Sequence, residues 1–60
     1  MLETKDPYLL LSIVNTKLRD EAESLEELCG TYGKSQDEII NKLQGVGYKY
    51  SKEHNQFIAV

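Results

Sequence analysis

Residues 24–44 read SLEELCGTYGKSQDEIINKLQ, two short amphipathic runs joined by a turn rich in glycine. Each run opens on the pattern of a capping box, Ser24-Leu25-Glu26-Glu27 and Ser35-Gln36-Asp37-Glu38. In that device a serine oxygen and a carboxylate three residues later satisfy the exposed amides of a helix start. Leu25, Leu28 and Cys29 share the inward side of the first run, and Ile39, Ile40 and Leu43 that of the second. Gly30 and Gly33 are placed to let the chain turn, because glycine adopts backbone conformations closed to other residues. The spacing predicts helices at about 25–31 and 36–44.

Upstream, Asp6-Pro7 starts a longer helix at about 7–19. Aspartate accepts from free N–H groups, and proline fits the first helical position. Leu10, Leu11, Val14 and Leu18 form one apolar stripe, and Lys17 and Arg19 complement the helix dipole at its end. Leu9 and Ile13 form a second stripe beside the first, so the apolar arc is wider than a surface helix needs. Ser12, Asn15, Thr16 and Arg19 define the polar side, with Arg19 expected to pair with a carboxylate such as Glu23. The excess apolar arc points to a dimer interface at Leu9, Ile13 and the neighbouring Tyr8, unless the C-terminal segment covers it.

That segment, about 47–60, reads as a β-hairpin. Gly45 and Gly47 end the third helix, Tyr48-Lys49-Tyr50 alternates, Lys52-Glu53-His54-Asn55 is turn-like, and Phe57-Ile58-Ala59-Val60 is β-prone. A lone hairpin is not stable in water, so it must pack on the helices, with Tyr48, Tyr50 and Phe57 as anchors.

Composition narrows the function classes. Sixty residues make one small domain with a marginal core, which a disulfide, a metal or a partner would normally supplement. One cysteine makes no internal disulfide, and one cysteine with one histidine offers no recognisable metal spacing. The absence of a secretory pattern and the lone cysteine suit a cytoplasmic protein, and the apolar run of the first helix is too short to span a membrane. The net charge of −3 is unevenly spread. Residues 1–33 set Lys5, Lys17 and Arg19 against seven carboxylates, for −4, whereas residues 34–60 carry +1.

Catalytic chemistry finds little support. His54 lies in a turn beside Glu53, Cys29 on an inward helix face, and the acidic run from Asp20 to Glu27 fits a solvated helix start. Gly30-Thr31-Tyr32-Gly33-Lys34-Ser35 contains Gly-Lys-Ser, but only two residues separate its glycines where a phosphate loop has four. Tyr48 and Tyr50 with Lys49 between them have the alternation of a stacking platform for single strands, although core anchoring suits them better.

Two resemblances follow from these residues. Leu28-Cys29, then Tyr32-Gly33-Lys34-Ser35, Ile39 and Leu43, follow the spacing of helix-turn-helix proteins, and the hairpin stands where a winged helix has its wing. Lys34 departs from that pattern, which usually has an apolar residue after the turn glycine. The resemblance implies a DNA reader using Lys34, Gln36, Asn41 and Lys42 from the third helix, with Lys49, Lys52 and His54 on the wing. The charge opposes it: Asp37 and Glu38 share that helix, and a basic footprint is lacking. The second resemblance covers nearly the whole chain. DPYLLLSIVNTKLRDE, then SLEELC, GYKY and NQF, resemble a small bacterial family, the domain of unknown function numbered 4250, which implies a compact helical domain with a C-terminal hairpin and no assigned activity.

The expectation is therefore a mainly α domain over residues 1–60, with three short helices and a C-terminal hairpin, winged-helix-like in its last two thirds. It is expected to be non-enzymatic and free of cofactors. It is also expected to pair with itself or with an unidentified protein partner, ahead of the DNA alternative.

Overall fold

The computed structural model describes residues 4–60. Three helices, α1 Pro7–Asp20, α2 Leu25–Tyr32 and α3 Gln36–Gln44, precede two antiparallel strands, β1 Tyr48–Ser51 and β2 Gln56–Ala59. The architecture is mainly α, and the element bounds lie within a residue of the sequence expectation.

Local chemistry sets the starts and stops. Asp6 Oδ1 accepts from the amides of Tyr8 at 2.9 Å and Leu9 at 3.3 Å, with Pro7 in the first turn. At the start of α2 the Ser24 hydroxyl accepts from the Glu27 amide at 3.1 Å, while Glu27 Oε1 accepts from Glu23 N at 3.2 Å. The reciprocal bond thus forms one residue earlier than the expected box. At α3 the expected box fails: Ser35 makes no side-chain cap bond, and Glu38 lies 3.4 Å from Lys42 one turn along. Gly33 closes α2 in the left-handed region at φ 67°, and Lys34 N donates to Cys29 O at 2.9 Å as in a Schellman ending. Gly30, expected to help the turn, instead lies inside α2. After α3, Gly45 stays right-handed at φ −60°, and Gly47 at φ 85° redirects the chain into β1.

The core joins all three helices to the hairpin. Leu10, Val14 and Leu18 of α1 are buried with Leu25, Leu28 and Cys29 of α2, Ile39 and Leu43 of α3, and Phe57 of β2. Leu11, Ile13, Ala22, Ile40, Tyr48 and Tyr50 pack around them. Tyr50 pairs with Phe57 across the strands, their rings 5.5 Å apart and tilted by 52°.

What seats the hairpin is polar. Gly47 O accepts from Val60 N at 2.8 Å. In the antiparallel alternation this turns the N–H and C=O of Phe57 away from β1. Asn15, expected on the solvent side of α1, meets both of them: its Oδ1 accepts from Phe57 N at 2.7 Å and its Nδ2 donates to Phe57 O at 3.1 Å. One side-chain amide thus stands in for a third strand. Gln56 Nε2 donates to Asn15 O at 2.9 Å and binds the same helix.

Asn55 completes the attachment. It adopts φ 51°, a left-handed conformation that asparagine tolerates, and its Nδ2 donates to Leu18 O and Ala22 O, each at 3.0 Å. Its Oδ1 accepts from the Tyr50 hydroxyl at 2.7 Å, and that hydroxyl accepts from Leu25 N at 3.3 Å. A single relay therefore occupies carbonyls at the end of α1 and a free amide at the start of α2.

Replacing Asn15 with Ala should cost about 2–3 kcal/mol, because two hydrogen bonds are lost and a sheltered backbone N–H is left without its partner. Urea unfolding of the variant beside the wild type measures this. A loss below about 0.5 kcal/mol, the range of ordinary surface changes, would contradict the role given to Asn15.

Candidate functional site

The hairpin contacts α1 on the Asn15 flank. Asn15 and Ile13 are two residues apart in a helix and so point to nearly opposite sides. The second apolar stripe is consequently not covered by β2. Leu9 is 50% exposed and Tyr8 62%, whereas Ile13 is half-buried and packs at the rim of the core.

Below Leu9 the outer face of α1 holds an open groove of about 190 Å³ lined by Ser12, Ile13, Thr16 and Lys17. It lies between two ridges of the helix, Leu9–Ile13–Lys17 and Ser12–Thr16–Asp20, each spaced by four residues. Small hydroxyl side chains on the second ridge keep it shallow.

Lys17 forms a fixed wall of this groove. Its ammonium lies 3.0 Å from Glu21 Oε2 and 4.9 Å from the ring centre of Tyr32, and its side chain is 13% exposed. The Tyr32 hydroxyl donates to the same Glu21 oxygen at 3.4 Å. Tyr32 and Glu21 together raise the Lys17 pKa above its ordinary value, so it stays charged across the physiological range. At the end of the other ridge Arg19 pairs with Asp20, Nε to Oδ1 at 3.0 Å, and not with Glu23 as the sequence suggests. The helix ends at Asp20, so Glu23 never occupies the helical i+4 position. The Arg19 hydrogen bond holds the Asp20 carboxyl below its ordinary pKa.

The residues named for a DNA-reading face are distributed along the second half. Gln36, Asn41 and Lys42 are exposed on α3, with Lys42 held by Glu38; Lys34 is half-buried in the turn before it; Lys49 and Lys52 are exposed on and after β1. Asp37 and Glu38 occupy the first turn of α3.

Other reactive groups are sheltered or isolated. Cys29 is buried and its thiol pKa is raised by that burial. His54 is exposed, its Nδ1 3.4 Å from the Ser51 hydroxyl. Among the described residues no three histidine, cysteine or carboxylate side chains gather to hold a metal ion, and no helix is long and apolar enough to cross a membrane.

These features define a small helical domain with an open groove on the outside of its first helix. Residues 4–57 match the family described as Domain of unknown function (DUF4250), and the chain belongs to that family. No curated protein and no solved structure matches it.

With its thiol buried and disfavoured as thiolate, Cys29 should react with a disulfide reagent at neutral pH only as fast as the domain opens. Rapid labelling of native protein, at the rate of the unfolded chain in urea, would contradict the packing described here.

Proposed function

We propose that the chain is a non-enzymatic protein-interaction module that associates with a second copy of itself through the outer face of α1. The observation that carries this reading is the exposure of Leu9 beside Tyr8, above a groove with a fixed wall. Exposed apolar surface of this kind, rimmed by polar residues, is what marks an interaction site.

The size of the face sets the strength. Fourteen helical residues extend about 21 Å, so a contact made by one helix stays below the roughly 800 Å² per partner of a standard stable interface. Association in the micromolar to millimolar range follows. The buried Cys29 and the isolated His54 support a role without catalysis. The pairing of Lys42 with Glu38, and the two carboxylates opening α3, weigh against a DNA-reading function.

Sedimentation equilibrium from about 10 μM to 1 mM should show a reversible monomer–dimer equilibrium, in the range expected for so small a contact. Leu9→Glu should remain monomeric with an unchanged melting temperature, since the side chain is half exposed. Ile13→Glu, which places a charge at the core rim, should instead lower the melting temperature. A wild-type chain that stays monomeric at 1 mM would overturn the reading. Random duplex DNA at low salt should show no gel retardation, and a salt-sensitive shift would favour the winged-helix alternative.

A further inference from the structure

We propose that the free edge of β1 takes up an extended acidic segment of another protein as a third, antiparallel strand. The segment hydrogen-bonds to Tyr48 and Tyr50 and sets a carboxylate opposite Lys49.

The strand register makes the two edges of the hairpin unlike. Gly47 with Val60, Lys49 with Ile58 and Ser51 with Gln56 are the pairs that bond across the strands, so the N–H and C=O of Tyr48 and Tyr50 turn outward on β1. On β2 the outward groups of Phe57 are taken by Asn15. Among the described residues nothing bonds the outward groups of Tyr48 or Tyr50, and no third strand joins the sheet. An alternating row of donors and acceptors is matched by another extended backbone, the basis of recognition by strand addition.

Charge selects among such backbones. Lys49 and Lys52 are exposed on and just after β1. Lys17, Arg19 and Lys42 each hold a carboxylate, whereas among the described residues none pairs with Lys49 or Lys52. A second copy is a poor occupant. The antiparallel register that uses all the outward groups would place two Lys49 side chains directly opposite in the close pair, where like charges destabilise. An incoming carboxylate turns that repulsion into attraction. The residues flanking it lie opposite Tyr48 and Tyr50, whose side chains pack on the core, so apolar side chains suit those places. The segment that fits therefore alternates acidic and apolar residues. The β1 edge lies across the hairpin from Asn15, so this binding does not depend on the self-association proposed above.

A capped peptide of alternating glutamate and valine, titrated at low salt into the isotope-labelled full chain, tests the assignment by NMR. The amides of Tyr48 and Tyr50 should shift and slow in exchange, with those of α1 and Ala59 unmoved. In this register the valine N–H groups face β1, so N-methylation at the valines should abolish binding and N-methylation at the glutamates should spare it. Lys49→Glu should keep the melting temperature, weaken this peptide about tenfold, and bind a lysine–valine peptide instead. Leu9→Glu should bind like the wild type. An edge unmoved at about 5 mM peptide would overturn the proposal, since even the weakest useful contacts hold in the millimolar range. So would binding that survives methylation at the valines, or shifts centred on another surface. Protection of the Tyr48 and Tyr50 amides that rises with protein concentration alone would assign the edge to a second copy, and overturn it equally.

Discussion

The amide of Asn15 is the attachment on which the rest of this small domain depends. A two-stranded hairpin has two open edges and little stability of its own. Here the outer edge of β2 is closed at Phe57 by a side chain from α1 that both donates and accepts, as a neighbouring strand would. Once Phe57 is held at that depth, its ring joins the buried cluster formed by the three helices and packs against Tyr50. The Tyr50–Asn55 relay then ties the same hairpin to the end of α1 and the start of α2. With no disulfide in so short a chain, this polar attachment supplements a core that is small for the number of elements it unites.

The seat of the hairpin also decides what α1 leaves open. By holding β2 on the Asn15 flank, the amide keeps the tail away from the opposite side of the helix, where Leu9 stays half exposed and Lys17 is braced by Glu21 and Tyr32. The apolar surplus of α1 is thus divided. Ile13 is drawn into the core rim, and Leu9 with Tyr8 remains outside.

Most of the architecture was legible because its signals are local. Asp6-Pro7 and Gly33 set helix ends through bonds within a few residues, and the buried positions followed helical periodicity. The failures have equally local reasons. Ser35 makes no cap bond, and Arg19 turned to the adjacent Asp20 because the helix stops before Glu23 could come into reach. What the sequence did not disclose was long-range polar geometry. Asn15 sat among residues assigned to solvent, although asparagine is an uncommon choice in a helix interior and a hairpin edge needs a partner. Those two facts together could have identified it. The Asn55-Gln56-Phe57 run helped mark the family resemblance, yet its role as the docking triplet emerged only when the strand register fixed which way Phe57 faces.

Amide hydrogen exchange at Phe57 tests the central claim most directly. The amides of Phe57 and Ala59 point to the same edge of β2, away from β1, but only Phe57 meets Asn15. Phe57 should exchange with the slowest core amides, at the rate of global unfolding, while Ala59 exchanges orders of magnitude faster. Equal, rapid exchange at both positions would show that the hairpin edge is not held by the helix, and the account built on it would fail.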